Sequence, residues 1–271
     1  MYVHSSGAVL FMTQCVFYNC SSTSQTGGMH IQNGKLAIVN STCFKDCKSP
    51  TINSFEIWGA AEYCLEKGYM EFISDFSPYE TFICSVVYNS SPFTLKNTNV
   101  TNSFSSSYTA GIEIGCSKSV ILMSYSQISN SIGKTFFGSL SPAANVNQHI
   151  ITVNMINTSA HSACIGIRHN SVTLSFYYCY VSNLKSLPML YLWSITGSIS
   201  FDSCFFDIPY QNSIHSEINT INNVFSHVTY NKLSLIDPRT CDELLYGPIT
   251  FTNSALSRNF QPVFLMQLIN V

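Results

Sequence analysis

Apolar and polar residues alternate with a period of two through most of this 271-residue chain, in short pieces separated by Ser, Asn and Gly. That pattern predicts strands and turns, because a helix would bring apolar residues back every three or four positions. One phrase returns. "CVFYNCSS" (15–22) is answered by "CFKDCKS" (43–49), so the step from Phe17 to Phe44 equals the step from Cys20 to Cys47. An apolar anchor followed by small polar residues recurs at Val100, Ile128, Ile156 and Val181, and in weaker form at Phe206 and Leu256. The clean steps all fall at about 25–28 residues, a period that marks a solenoid. The gap between Phe44 and Val100 is twice such a step and leaves room for one more unit near "YMEFISDF" (69–76). The unit around "NVFSHV" (223–228) falls out of step.

Each unit carries two further strand patterns. "GGMHIQ" (27–32) is repeated as "AGIEIG" (110–115) and "ACIGIR" (163–168), and then a second strand follows, as in "KLAIVN" (35–40), "SVILMS" (119–124), "SVTLSF" (171–176), "SISFDS" (198–203) and "PITFTN" (248–253). Three short strands per unit cannot bury their inward side chains alone, but stacked units pair in parallel and bury them together. The expected fold is therefore all-β: a right-handed parallel β-helix of about ten coils, each of about 25–28 residues, forming one domain over 1–271. An irregular coil or insertion is expected at about 50–92 and a less regular coil at about 209–246. An antiparallel sandwich shares the short strands but gives no reason for a sustained period. The solenoid predicts a ladder of like on like: Phe17, Phe44, Val100, Ile128, Ile156, Val181 and Phe206 inward, with Asn19, Asp46, Asn102, Asn130 and Asn183 at a turn beside them. Short polar side chains there satisfy backbone groups and tolerate left-handed geometry, which is a structural role; a glycan-gripping groove is the functional alternative.

Composition sharpens this reading. Apolar residues make up 46% and charged residues 10% of the chain, yet no apolar run approaches the ~18 residues of a spanning helix. "TFICSVVY" (81–88) and "VFLMQLI" (263–269) have strand length. The net charge is −2, and the three arginines, Arg168, Arg239 and Arg258, are far apart in sequence. No nucleic-acid partner is expected, since neutralising phosphates takes clustered cations. Residues 7–12 match the second strand of a coil and 262–271 the first strand of another, so neither end reads as a cap. The chain is expected to be a piece of a longer solenoid, or a protein that stacks on a partner.

"TGGMHI" followed by "CFKDC", with its neighbour "CVFYNC", resembles the repeats of polymorphic outer membrane proteins. That resemblance covers most of the chain as a pattern. It implies a β-helical protein displayed outside the cell or at its surface, adhesive or antigenic in character, with carbohydrate or another surface protein as partner.

The chemistry-bearing residues are few. Eleven cysteines are present without a CxxC, and most read as small buried core residues. Cys20 and Cys47 share a position, as do Cys179 and Cys204, and stacked coils bring such pairs within disulfide range; Cys20–Cys47 is the best-placed disulfide. His161 and Cys164 in "HSAC" lack the companions of a tetrahedral metal site. Sequons stand at Asn19, Asn40, Asn89, Asn99 and Asn157. The seven histidines are scattered, no glycine-rich phosphate loop occurs, and no cofactor is expected. Carboxylates cluster once, at Glu56, Glu62, Glu66, Glu71 and Asp75, beside Lys67, Trp58, Tyr63 and Tyr69. Glycosidic cleavage uses a pair of carboxylates, so Glu62, Glu66, Glu71 and Asp75 are the catalytic candidates if the protein is a carbohydrate-active enzyme. The same stretch also reads as a solvated insertion, with "AAEYCLEKG" (60–68) a short helix ended by Gly68. The leading expectation is a non-catalytic stalk or adhesin module, and a pure spacer is the third reading.

Overall fold

The computed structural model describes residues 1–5, 7–59, 65–76, 79–81, 83–89, 92–105, 107–115, 121–133, 135–140, 146–160, 165–168, 172–182, 190–193, 198–207, 233, 235 and 267–270. Every described element is a strand, and all pairings but one are parallel. An eight-stranded sheet runs through Tyr2–His4, Met29–Gln32, Phe55–Gly59, Ser85–Asn89, Thr109–Gly115, Thr135–Leu140, Ile165–Arg168 and Leu190–Trp193. The second sheet stacks Ala8–Thr13, Gly34–Lys45, Leu65–Phe76, Phe93–Lys96, Ile121–Ser129, Val146–Ile156, Val172–Tyr177 and Ser198–Asp202. A short third sheet joins Glu80–Thr81, Phe104–Ser105, Ile132–Gly133 and Ser159–Ala160. Successive strands of one sheet lie one turn of chain apart. The architecture is a parallel β-solenoid.

The long strands of the second sheet are two strands joined at a corner. Gln14, Ser41, Asn97, Tyr125, Thr152, Tyr178 and Ser203 have φ between 49° and 55°. Asn19, Asp46, Asn102, Asn130 and Asn157 repeat that geometry at a second corner. One left-handed residue turns the chain sharply, and Asn and Asp tolerate it best among residues with a Cβ. The residue after each corner points inward. Cys15, Thr42, Thr98, Ser126, Val153, Cys179 and Cys204 follow the first corner, and Cys47, Ser103, Ser131 and Thr158 the second; all are buried. Several of these side chains bend back to the carbonyl two positions earlier. Ser126 Oγ donates to Ser124 O at 2.8 Å, Ser131 Oγ to Ser129 O at 2.9 Å, Cys204 Sγ to Asp202 O at 3.3 Å and Cys15 Sγ to Thr13 O at 3.4 Å. Small hydrogen-bonding residues are selected there because the corner leaves a carbonyl facing the interior.

Between the two corners lies the anchor. Phe17 stacks on Phe44 with ring centroids 4.9 Å apart, and Phe44 tilts against Phe55 from the opposite wall at 5.5 Å. The ladder continues Phe44, Asp75, Val100, Ile128, Met155, Val181, Phe206. Two steps differ from the sequence expectation. Asp75 fills the rung between Phe44 and Val100, and Met155 replaces Ile156, which lies opposite Ser129 and Ser182 and is half-buried. A one-residue shift moves a strand's whole inward set to the outside, so the buried face selects Met155. The repeat unit there is "MINT", with Asn157 as the corner, not "INTS".

Within 50–92, Phe55–Gly59 pairs with strands on both sides, as does Leu65–Phe76. Residues 65–68 are strand, so the expected helix ending at Gly68 is absent over them. Gln267–Asn270 runs antiparallel along Ala8–Phe11 instead of stacking as a further parallel rung. The units expected near 223–228 and Leu256, and most of 209–246, lie outside the described residues.

Gly27 and Gly28 in the "TGGMHI" phrase are required by close approach. A Cβ on Gly28 would stand 2.3 Å from Ser54 O and 2.7 Å from the Phe44 ring, and one on Gly27 would stand 2.5 Å from Asn53 O. Gly28→Ala is expected to cost about 2 kcal/mol or more, read as a lower urea midpoint. Thr152→Asn is expected to raise that midpoint by about 0.5–1 kcal/mol of stability, because a β-branched residue at φ 55° is strained and Asn is not.

Candidate functional site

Alternation along the first sheet turns Ile31, Ile57 and Ile114 inward, all buried. The residues between them form a row on the outer face. In register it reads Tyr2, His30, Glu56, Val86, Glu113. The Glu56 carboxylate oxygen Oε2 accepts from Thr26 Oγ1 at 2.6 Å and lies 2.6 Å from His30 Nδ1. His30 and Glu56 are both buried, and Tyr2 stacks on the imidazole at 4.8 Å with 18° between ring planes. A carboxylate on Nδ1 fixes the ring's orientation and favours the proton there. His30 Nε2 is buried, with no hydrogen-bond partner among the described residues.

Two rungs on, Glu113 repeats the arrangement: Thr109 Oγ1 donates to its Oε2 at 3.0 Å, and the Thr109 and Thr135 hydroxyls meet at 3.1 Å. Parallel rungs stack at ~4.8 Å, so Glu56 and Glu113 are roughly 10 Å apart at Cα. The neighbouring row of the same sheet holds His4, Gln32, Trp58 and Tyr88 in register. Its first members meet Tyr2, since Gln32 Oε1 accepts from Tyr2 OH at 3.1 Å and lies 3.3 Å from His4 Nδ1. The sequence did carry a signal for this row: "MHIQ", "FEIW" and "GIEI" each place a titratable residue at the outward position of an otherwise apolar strand. Only the register, which no local pattern supplies, brings them side by side.

The carboxylates of 56–75 are separated by the fold. Glu56 belongs to the first sheet, while Glu66 and Glu71 lie along a strand of the second. Glu62 and Tyr63 lie outside the described residues. Asp75 is fully buried in the solenoid interior, at an anchor rung instead of in a groove. Its Oδ1 accepts from Ser54 Oγ at 2.5 Å, and its Oδ2 from Ser85 Oγ at 2.7 Å and Cys84 Sγ at 3.3 Å. Cys84 Sγ also reaches Ser103 Oγ at 3.2 Å. This interior polar cluster is sealed from solvent. Such a network is tolerated in a core when its donors and acceptors match.

The cysteines divide by role. Cys15, Cys20, Cys47, Cys179 and Cys204 are corner residues, and together with Cys84 they are free thiols. The expected Cys20–Cys47 disulfide is not formed here, yet the two side chains touch. A hydrogen bond from Cys47 draws the half-exposed Cys20 thiol down to about 6, against burial that pushes it up. Cys47 is pushed well above the ordinary thiol range by the same contact and by burial. Cys179 is raised, by burial first, and Cys204 is lowered by its bond from Cys179. Cys43 stands apart from these six and is disulfide-bonded.

The asparagine series stands on the outside at the second corner. Asn19, Asn130 and Asn157 are exposed, Asp46 and Asn102 half-buried, and Asn183 lies outside the described residues. Their shared backbone conformation accounts for them without a ligand. Of the sequons, Asn19 and Asn157 are exposed, Asn40 is half-buried and Asn99 is buried; the side chain of Asn89 is not among those described. No helix among the described residues is long and apolar enough to cross a membrane. Among those residues no cluster of three or more metal-ligating side chains occurs.

No protein-family model, no curated protein and no solved structure matches this chain.

Asp75→Ala is expected to lower stability by about 2–4 kcal/mol, because the buried Ser54 and Ser85 hydroxyls and the Cys84 thiol then lose the carboxylate they share. Asp75→Asn should cost less than the alanine change. Chemical denaturation of the two variants beside the wild type gives the comparison.

Proposed function

We propose that this chain is a non-catalytic module of a surface-displayed protein, related to the polymorphic outer membrane proteins, that presents a binding face from a rigid β-helical rod. The observation that carries this reading is the outer face of the first sheet. Across its first five strands the register runs Tyr2, His30, Glu56, Val86, Glu113, beside the positions of His4, Gln32, Trp58 and Tyr88. Tyr2 is 61% exposed with its ring held by His30. An exposed aromatic face with a polar tip, held from beneath by a buried His30–Glu56 pair, suits a carbohydrate or the polar surface of another protein. The disulfide at Cys43 supports an extracellular or cell-surface location, where such bonds persist. A right-handed sense follows the usual rule for parallel crossovers, and about ten coils follow from dividing the chain length by the period. Eight strands in the first sheet already make a rod roughly 35 Å long from first rung to last.

One observation favours a second reading, a polysaccharide lyase or hydrolase. Glu56 and Glu113 stand in one row two rungs apart, and glycosidic cleavage uses two carboxylates. In that case these residues take the place of Glu62, Glu66, Glu71 and Asp75. A pure spacer, with no ligand on any face, is the third.

A glycan array probed with the purified chain and with a Tyr2→Ala/Trp58→Ala variant separates the three. Binding lost at least tenfold in the variant, with no reducing ends released, is the expected result. Release that disappears in Glu56→Gln/Glu113→Gln would establish the enzyme instead, and silence in both assays would leave the spacer.

A further inference from the structure

We propose that Cys20 and Cys47 form a modification site, at which a peroxide closes a disulfide between the first two turns of the solenoid. This inference is independent of the adhesin reading and rests on how the two corners stack. The flanking residues are in register on both sides, Tyr18 with Lys45 and Ser21 with Lys48, so Cys20 and Cys47 are direct neighbours across the rung gap. The backbone is locked there by Lys48 N donating to Cys20 O at 2.8 Å. In-register neighbours of parallel strands lie about 5 Å apart at Cα, inside the range a disulfide spans.

The Cys47 sulfur reaches the rung that carries Cys20. Cys47 Sγ leans back across the gap to the Phe17 carbonyl at 3.5 Å, one rung below its own. Cys20 Sγ holds the Tyr18 carbonyl at 3.6 Å and is the partly exposed member. The bond from Cys47 favours a thiolate on Cys20, the form that attacks an oxidant. The pair is thus divided into an accessible nucleophile and a buried resolving thiol.

The reaction balances with a peroxide as oxidant. The Cys20 thiolate attacks one peroxide oxygen, the O–O bond breaks, and the leaving hydroxide takes a proton to become water, leaving Cys20 as the sulfenic acid. The Cys47 sulfur then attacks the Cys20 sulfur; an S–S bond forms, the S–O bond breaks, and the Cys47 proton leaves with that oxygen as water. Two thiols are oxidised and one peroxide is reduced to two waters.

The molecule contains its own control. Cys179 and Cys204 are stacked in the same way, with Cys179 N donating to Cys204 Sγ at 3.4 Å and Cys204 Sγ reaching the Phe176 carbonyl at 3.5 Å. That pair is fully buried, with exposures of 1% and 0%. Stacking alone would make both pairs react; access restricts the reaction to the first.

The test is to treat the reduced, folded protein with hydrogen peroxide, block remaining thiols with iodoacetamide and map the unreduced peptides by mass. The expected product joins the peptides of Cys20 and Cys47 and is two hydrogens lighter, forming at least about tenfold faster than any Cys179–Cys204 link. In Cys47→Ser the sulfenic acid on Cys20 accumulates and is trapped by dimedone, whereas Cys20→Ser leaves Cys47 unlabelled. If either variant fails to fold, the wild-type peptide map and dimedone labelling decide alone. Recovery of both Cys20 and Cys47 as alkylated thiols after peroxide overturns the proposal, as does equal oxidation of the two pairs.

Discussion

The constraint on which everything else rests is that the strands of a rung find their backbone hydrogen-bonding partners chiefly in the rungs beside it. Backbone N–H and C=O groups are satisfied along the stacking direction, as with Cys43 N on Cys15 O and Ile132 N on Ser103 O, both at 2.9 Å. Once that ladder is in place, every inward side chain sits directly over the equivalent one in the next turn. Phe17 over Phe44 and Phe176 over Phe201, both at 4.9 Å, are the direct result. The chain must therefore return to the same position after each turn, and the left-handed corners are how it does so.

Among the described residues, the corners also account for most of the cysteines. Most residues that follow a left-handed corner are buried and small, and many face a carbonyl two positions back. Serine, threonine and cysteine meet all three demands, and the chain uses them interchangeably at Cys15, Thr42, Thr98 and Ser126. Cysteine here is chiefly a corner residue. Where two cysteines fall on adjacent corners, thiol chemistry becomes a by-product of architecture, and burial decides whether it is expressed.

The interior is not uniformly apolar. Asp75 occupies a rung of the anchor ladder between Phe44 and Val100, surrounded by Ser54, Cys84 and Ser85. An apolar residue could fill that rung on its own. The carboxylate instead ties separate stretches of wall together at one height, and a buried polar group that must meet its donors fixes which rung faces which. The turn from Phe44 to Asp75 is the longest step of the anchor ladder, and the turn from Asp75 to Val100 is among the shortest. The interior cluster marks the place where the stack absorbs that irregularity.

The period, the strand class and the stacking of Phe17 on Phe44 were legible in the sequence, because side-chain alternation and a recurring phrase are local properties written at fixed spacing. The reason for the corner asparagines was legible too, since their backbone tolerance is a property of the residue. Other features depended on register, which is a relation between turns. Choosing Met155 over Ile156 needed the buried face, because both residues are apolar and adjacent in sequence. Placing Asp75 inside, when the same stretch read as a solvated insertion, needed the neighbouring walls that supply its donors. Bringing His30, Glu56 and Glu113 into one row needed the stack itself, for they belong to three different turns of the chain. Local chemistry determined what each turn is made of, and the vertical hydrogen-bond ladder decided which side chains meet.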